Sequence, residues 1–440
     1  MTIDKPKSYF FTLSKNQREA VGLLSVGTFL EYFDLMLYVH MAVLLNELFF
    51  PKTDPFTASL ITAFSFCSTY LLRPFGALIF GYVGDFIGRK VVVIFTTLLM
   101  AICCSIMASL PTYAQIGITA SWVVTLCRIV QGMAATAEVR GAELYLTESS
   151  KPPLQYPMVA IITVFSALGT TAALGIAAIF TNEVLFNNDT ASWRIAFLVG
   201  AGIALVGTIA RTSLKEADEF SNKRKKLESR LSENKVAWSD LNEEFFKQKS
   251  SYLISLAYFL IQCARPPCFY FIYIYCADIL KQKFGYSAHE IISQNFWVSI
   301  IDLVGLIMLT HLSYLIHPFK ILKGKFFLFF GSIALFPAVL TYTNNSSYIF
   351  IFQCLAALFV FDHIPASPIF YKYFPVFRRF TYTSLLSAVA KLATYVITSF
   401  GLVFTTEYFG YWGLFIILVP VGVGYYTSVN YFQKLEDQQV

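Results

Sequence analysis

The chain has 440 residues, 56% of them hydrophobic and only 14% charged, with a formal net charge of +6. A soluble domain carries about 25% charged residues, so this balance, with a mean hydropathy of +0.60, excludes a string of soluble domains. Apolar runs of roughly 20 residues recur along the chain and predict an all-α integral membrane protein. The start, "MTIDKPKSYFFTLSKNQRE", is polar and lacks the apolar core of a signal peptide. The first apolar run holds Glu31 and Asp34, so it reads as a retained first span.

About twelve membrane spans are expected. The first six lie near 20–45, 57–82, 91–110, 116–139, 158–181 and 194–213. A charged stretch, 214–250, then separates two membrane halves, 1–213 and 251–440. The last six spans lie near 251–279, 290–312, 326–343, 347–369, 382–404 and 411–432. With the N-terminus inside and alternating thereafter, Lys and Arg favour the inside by roughly five to one. That count places Lys320, Lys323 and Lys325 in an inside loop, and it makes both termini and the 214–250 loop cytoplasmic. All eight cysteines (67, 103, 104, 127, 263, 268, 276 and 354) fall in apolar segments without CxxC or zinc spacing. They read as small buried residues, with no metal or cofactor expected.

Between spans two and three, Gly81–Lys90 reads "GYVGDFIGRK". A phosphate loop requires GxxxxGK[ST]. Here Gly84 and Gly88 are too close together, and Val91 follows the lysine. A hairpin at the membrane face remains, with Arg89 and Lys90 obeying the inside-positive rule. Such a turn explains the bases but not Asp85 and its flanking glycines. The stretch resembles the G-x-x-x-D-x-x-G-R-K/R signature of the major facilitator superfamily. "RIVQG" at Arg128–Gly132 resembles a second signature of that superfamily. "GTFLEYFDLMLY", "LLRPFGALIFG", "LPTYAQIGITA" and "GAELYLTES" narrow the resemblance to its metabolite:proton symporter branch. That branch includes proline/betaine, α-ketoglutarate, citrate and shikimate carriers. The resemblance implies two six-helix halves and a cytoplasmic gate formed by Gly84, Asp85, Gly88, Arg89 and Lys90. In that gate Asp85 would latch onto the start of span eleven, near Tyr382–Ser384.

Ionisable groups within a bilayer are costly and each needs a partner or a wet cavity. Glu31, Asp34, Arg73, Arg128, Arg265, Asp302, Asp362 and Lys391 fall inside predicted spans, four acids against four bases. They are expected either to line a substrate and proton path or to lock helices together. Gly27, Glu31, Asp34 and Tyr38 share one helical face. Two carboxylates one turn apart repel, an arrangement suited to carrying a proton unless Arg73 or Arg128 neutralises them. Arg128, Gln131 and Gly132 share a face of span four. The resemblance implies that Arg128 answers to the proton or to a substrate anion, and its planar fork suits a carboxylate. Tyr270 and Tyr273 follow the Arg265–Pro266–Pro267 break and offer an aromatic wall or plain packing. Lys391 is expected to pair with Asp302 or Asp362. His363 reads as a satisfied polar contact, and Glu138, Arg140 and Glu143 as residues near a span end, where snorkelling is cheap.

The expected function is proton-coupled uptake of a small polar metabolite, a zwitterion or an organic acid, by alternating access. The expected setting is a bacterial inner membrane, with a monomer whose partners are solute, H+ and lipid, and no nucleic acid. An efflux antiporter of the same fold is the first rival, but span five lacks the proline such carriers often have. A membrane enzyme or sensor is the second, and no nucleophile–base pair or output domain is visible. The tail, "NYFQKLEDQQV", is too short for a coiled coil of the kind some osmosensing relatives carry.

Overall fold

The computed structural model describes residues 15–51, 55–86, 89–180, 193–212, 251–375 and 379–438. Among these the structure is helical, with no strand, and the helices are numbered as twelve segments in chain order. The first half holds α1 (Lys15–Phe49), α2 (Pro55–Leu71 and Arg73–Phe86), α3 (Arg89–Ser109), α4 (Ile118–Ala134 and Thr136–Ser149), α5 (Gln155–Phe180) and α6 (Trp193–Thr212). The second half holds α7 (Tyr252–Gln262, Arg265–Tyr270, a π turn Phe271–Tyr275, and Cys276–Phe284), α8 (Ala288–Leu315) and α9 (Pro318–Ile333 and Phe336–Tyr342). It continues with α10 (Ser347–Leu358 and Ser367–Tyr371), α11 (Arg379–Phe409) and α12 (Gly413–Asp437). The expected loop 214–250 lies outside the described residues.

Sequence chemistry sets the breaks. Prolines 74, 266, 337 and 368 each follow an interruption, where their missing N–H costs least. Ser287 and Glu290 form a reciprocal capping box at the start of α8. Gly285, at φ 70°, closes α7 in a left-handed conformation that a side chain would strain. Large apolar side chains such as Trp122, Leu126, Val206 and Met308 are exposed on the outside of the bundle. Five helical stretches among the described residues are long and apolar enough to cross a membrane.

Lipid is as apolar as leucine, so helices in it associate through close packing and polar contacts. α1 packs along α5, and α3 along α6. Between the halves, α5 meets α8 and α2 meets α11, giving two lateral seams. Glycine decides the closest crossings. A Cβ on Gly132 of α4 would sit 1.6 Å from the Thr69 carbonyl oxygen of α2. One on Gly169 of α5 would sit 2.3 Å from the Phe29 carbonyl oxygen of α1.

Two boundaries differ from the sequence reading in ways that matter. Span four continues past 139 to Ser149, which carries Arg140 and Glu143 into the bundle. Span nine starts at Pro318, not near 326, so Lys325 is a buried helical residue and not a loop charge.

Candidate functional site

Buried polar groups gather in three places. In the first half, α1 presents Glu31, Asp34 and Tyr38 on one buried face, beside Arg128 and Gln131 of α4. Asp34 is 1% exposed and Arg128 is fully buried. The Cys104 thiol of α3 donates to Asp34 Oδ1 at 3.0 Å, and Gln131 Nε2 lies 3.4 Å from the same sulfur. Gln131 Oε1 accepts from Arg128 Nη1 at 3.1 Å, and the Arg128 guanidinium carbon lies 4.1 Å from the centre of the Tyr38 ring. A relay therefore runs Asp34–Cys104–Gln131–Arg128–Tyr38. Asp34 and Arg128 make no direct ion pair, and Asp34 Oδ2 is buried without a hydrogen-bond partner. A small pocket with room for about one water opens beside it, lined by Glu31, Asp34, Thr96 and Thr97 among others.

A second cluster lies in the other half. Asp362 stands in the break of α10 and accepts from Arg265 at 3.1 Å and from Lys325 at 3.2 Å. Its Oδ1 also accepts the Ile364 N–H at 3.2 Å, and Tyr425 closes its carbonyl at 2.8 Å. Asp302 lies within electrostatic reach of Arg265 and Lys325. Above them the π turn of α7 frees backbone carbonyls. Gln353 donates to the Ile272 carbonyl at 2.6 Å and Asn295 to that of Tyr273 at 3.3 Å. Gln353 Nε2 also donates to Asn295 Oδ1 at 3.1 Å, and Gln294 donates to Gln353 Oε1 at 2.7 Å. Wide turns of this kind are rare and cluster at functional places. Tyr270 and Tyr273 are both buried at this turn, with Tyr273 packed on Phe269 and on His40 of α1.

The third cluster joins the halves. Arg140 of α4 donates to Glu143 at 2.6 Å, to Gln262 of α7 at 2.7 Å, to Tyr371 of α10 at 2.7 Å and to Ser387 of α11 at 2.8 Å. His363 Nε2 lies 3.1 Å from Arg140 Nη1 and 3.8 Å from Glu143 Oε1, and Tyr371 donates a short hydrogen bond to Glu143. Further along, Arg379 at the start of α11 reaches Glu148 of α4 at 3.3 Å. These contacts seal one end of the interface between the halves.

The structure thus brings Asp34, Tyr38, Arg128 and Gln131 together, with Glu31 on the pocket wall, and joins Arg265 to Asp362. It corrects two expectations. Lys391 pairs with neither Asp302 nor Asp362, because Lys325 and Arg265 already hold Asp362; Lys391 lies instead within electrostatic reach of Arg140, Arg73, Glu143 and Arg265. Arg140 and Glu143 are not snorkelling end residues but 4% and 2% exposed members of the cross-half network. Sequence held one clue to them: Gly132, Thr136, Arg140 and Glu143 follow helical spacing, visible once span four is allowed to run on. Nothing comparable marked Gln262, Tyr371 or Gln353. Of the expected gate, Gly84 and Asp85 fall in the last turn of α2 and Arg89 and Lys90 in the first turn of α3. Gly88 and the side chains of the whole group lie outside the described residues. Ser384, on the α11 side of that latch, is buried with its hydroxyl unpartnered.

Two helical halves with charged groups held at and between them define a multi-pass helical bundle of the membrane-protein type. Comparison with known proteins narrows the class. The sequence model of the Major Facilitator Superfamily matches residues 24–361, and the chain belongs to that superfamily. It is 26% identical over 343 residues to the proline/betaine transporter of Salmonella typhimurium, covering 74% of this chain and 65% of that protein. It is 33% identical over 226 residues to the inner membrane metabolite transport protein YhjE of Escherichia coli, covering 50% of each. The chain therefore spans less than two thirds of these relatives' own length. The proton:xylose symporter XylE bound to 6-bromo-6-deoxy-D-glucose has a similar fold, with a TM-score of 0.71 at 16% identity over 95% of both chains. The inward open conformation of the E. coli xylose transporter XylE gives 0.67 at 14% identity, over 93% of this chain and 95% of that one.

Proposed function

We propose that this transporter couples uptake of a small polar metabolite to entry of H+ by alternating access across a bacterial inner membrane, with both termini cytoplasmic. The observation that carries the coupling is Asp34. Its carboxyl is buried in a membrane span with one thiol donor, one unpartnered oxygen and a water-sized pocket beside it. Neutral, such a carboxyl is tolerated. Ionised, it needs Arg128 or water. A group that is stable in one protonation state and demands rearrangement in the other ties proton occupancy to conformation. The names of the proline/betaine and metabolite transport relatives support a small polar solute, and the lysine and arginine asymmetry supports the orientation. The sealed end of the interface, held by Arg140 and Arg379, is then the cytoplasmic one, and Asp85 adds its latch there.

The test is uptake into proteoliposomes of labelled proline, glycine betaine and dicarboxylates, with and without an acid-outside gradient. Accumulation should require the gradient and collapse with a protonophore. In Asp34→Asn the gradient should no longer drive accumulation, while solute exchange without a gradient persists. Gradient-driven accumulation that survives this substitution would remove Asp34 from the coupling.

A further inference from the structure

Among the described residues Arg73 and Lys391, like Arg128, make no ion pair. Arg73 of α2 is 6% exposed, and its Nε and Nη2 are buried without a hydrogen-bond partner. Its contact is the face of Tyr70, 4.1 Å from the ring centre. Tyr70 in turn packs on Tyr395 of α11 across the seam, with ring centres 4.1 Å apart. One turn before Tyr395 stands Lys391, which makes no hydrogen bond or ion pair among the described residues. Lys391 is only partly buried, and the Arg265 side chain keeps 31% exposure. Both lie at mid-helix among charged groups from other helices, so that exposure is to a space between the halves and not to lipid.

Two of the acids nearby are held in ion pairs, and Asp302 lies within electrostatic reach of Arg265 and Lys325. Glu143 is held by Arg140 and Tyr371, and Asp362 by Arg265 and Lys325. Glu31 and Asp34 face the separate pocket in the first half. Holding an unpaired guanidinium out of water costs several kcal/mol in a low-dielectric interior, and a partly buried unpaired ammonium costs less. The bundle keeps both, one from each half, on either side of one tyrosine stack.

We propose that this space is the substrate site and that it takes a solute with two anionic groups, a dicarboxylate, with one carboxylate on Arg73 and the other on Lys391. The proposal rests on the transport reading above and names its substrate class. A zwitterion would bring an ammonium toward Arg73, Lys391 and Arg265, where the one acid not in an ion pair, Asp302, already faces Arg265 and Lys325. The aromatic face that would take a quaternary ammonium already carries the Arg73 guanidinium. Because the two cations belong to different halves, the dianion would bridge them and draw the halves together.

Binding to the purified full chain in detergent tests this, read as a shift of the thermal unfolding midpoint with succinate, glutarate, citrate, acetate, proline and glycine betaine. At least one di- or tricarboxylate should stabilise the protein, and acetate and the zwitterions should not. Arg73→Gln and Lys391→Gln should each weaken that binding by about ten- to a hundredfold, and Lys391→Arg should retain most of it. If Arg73→Gln does not yield folded protein, the Lys391 pair of variants decides alone. Stabilisation by proline or betaine with none by any dianion, or dianion binding unchanged in the variants, would overturn the proposal. So would the absence of any response to dianions. No gradient enters the measurement, so its failure leaves proton coupling standing. Intact dianion binding with gradient-independent uptake would count against the coupling alone.

Discussion

Gly200 of α6 sets how closely that helix approaches the proposed proton site at Asp34. A Cβ there would lie 2.8 Å from Asp34 Oδ1, so Gly200→Ala must push the carboxyl off the Cys104 thiol or move α6. We expect that variant to lose most gradient-driven uptake while its expression and unfolding midpoint change little. An equal loss of folded protein would show a packing role only. Cys104→Ser should preserve a donor to Asp34 and Cys104→Ala should not, so uptake rates should separate the two by about tenfold. Much of this site was legible in the sequence, because Glu31, Asp34 and Tyr38, and Arg128 with Gln131, announce their shared faces by spacing alone. The thiol linking them was not. A cysteine in an apolar run looks the same whether it packs or donates, and only the tertiary crossing of α1 with α3 tells the two apart.

At the scale of one helix, α7 is the informative case. Its apolar run and its Arg265–Pro266–Pro267 interruption were visible in the sequence, and they placed a break at the right turn. The π turn beyond it was not visible, since it depends on amide groups arriving from α8 and α10. Gln353→Leu leaves the Ile272 carbonyl and Asn295 Oδ1 without their donor. A buried acceptor stripped in this way costs about 1–3 kcal/mol, so the unfolding midpoint should fall measurably. An unchanged midpoint would show that the carbonyls find other donors as the turn relaxes. Gly132→Ala should do comparable damage by a different route, forcing α2 and α4 apart at their crossing for about 1–3 kcal/mol. Helix ends were read to within a few residues, except where an ionisable residue sits near a boundary. Arg140 and Glu143 persuaded the hydropathy pattern to end span four early and Lys325 to begin span nine late, because a charge inside a helix counts against a membrane segment until its partner is known.

For the molecule as a whole, the polar contacts between the halves concentrate at one end, in the Arg140 network and the Arg379–Glu148 pair. The Arg379–Glu148 pair is part-buried, so removing Glu148 should cost more than loss of an exposed pair would, with Arg379 still donating to the Phe374 carbonyl. Removing Arg140 strands Glu143 among His363 and Tyr371, so Arg140→Gln should shift the bundle toward opening at that end. Single cysteines placed along the Arg379 end of α11, cytoplasmic in the proposed orientation, should then react faster with a membrane-impermeant thiol reagent in inside-out vesicles. Unchanged reactivity would mean that the network is not what holds the end shut. Asp85→Asn should have the same direction of effect if Asp85 latches near Ser384. The two-half architecture was legible through span count and the superfamily signatures, but the closing network was not, because its members come from α4, α7, α10 and α11 and share no local pattern.

The uncompensated pair Arg73 and Lys391 has an electrical consequence. A membrane potential acts on any charge that changes its depth, by about 2.3 kcal/mol per elementary charge for each 100 mV fully crossed. In the proposed cycle the empty site leaves the charges of Arg73 and Lys391 uncompensated near mid-depth, so a swing between open states would displace charge through part of the field. With the proposed dianion bound, the charges of Arg73 and Lys391 would be offset and the swing would displace less. Voltage then acts on the unloaded step of the cycle, and transient currents recorded from the protein in a planar bilayer should shrink when a saturating dicarboxylate is added to both sides.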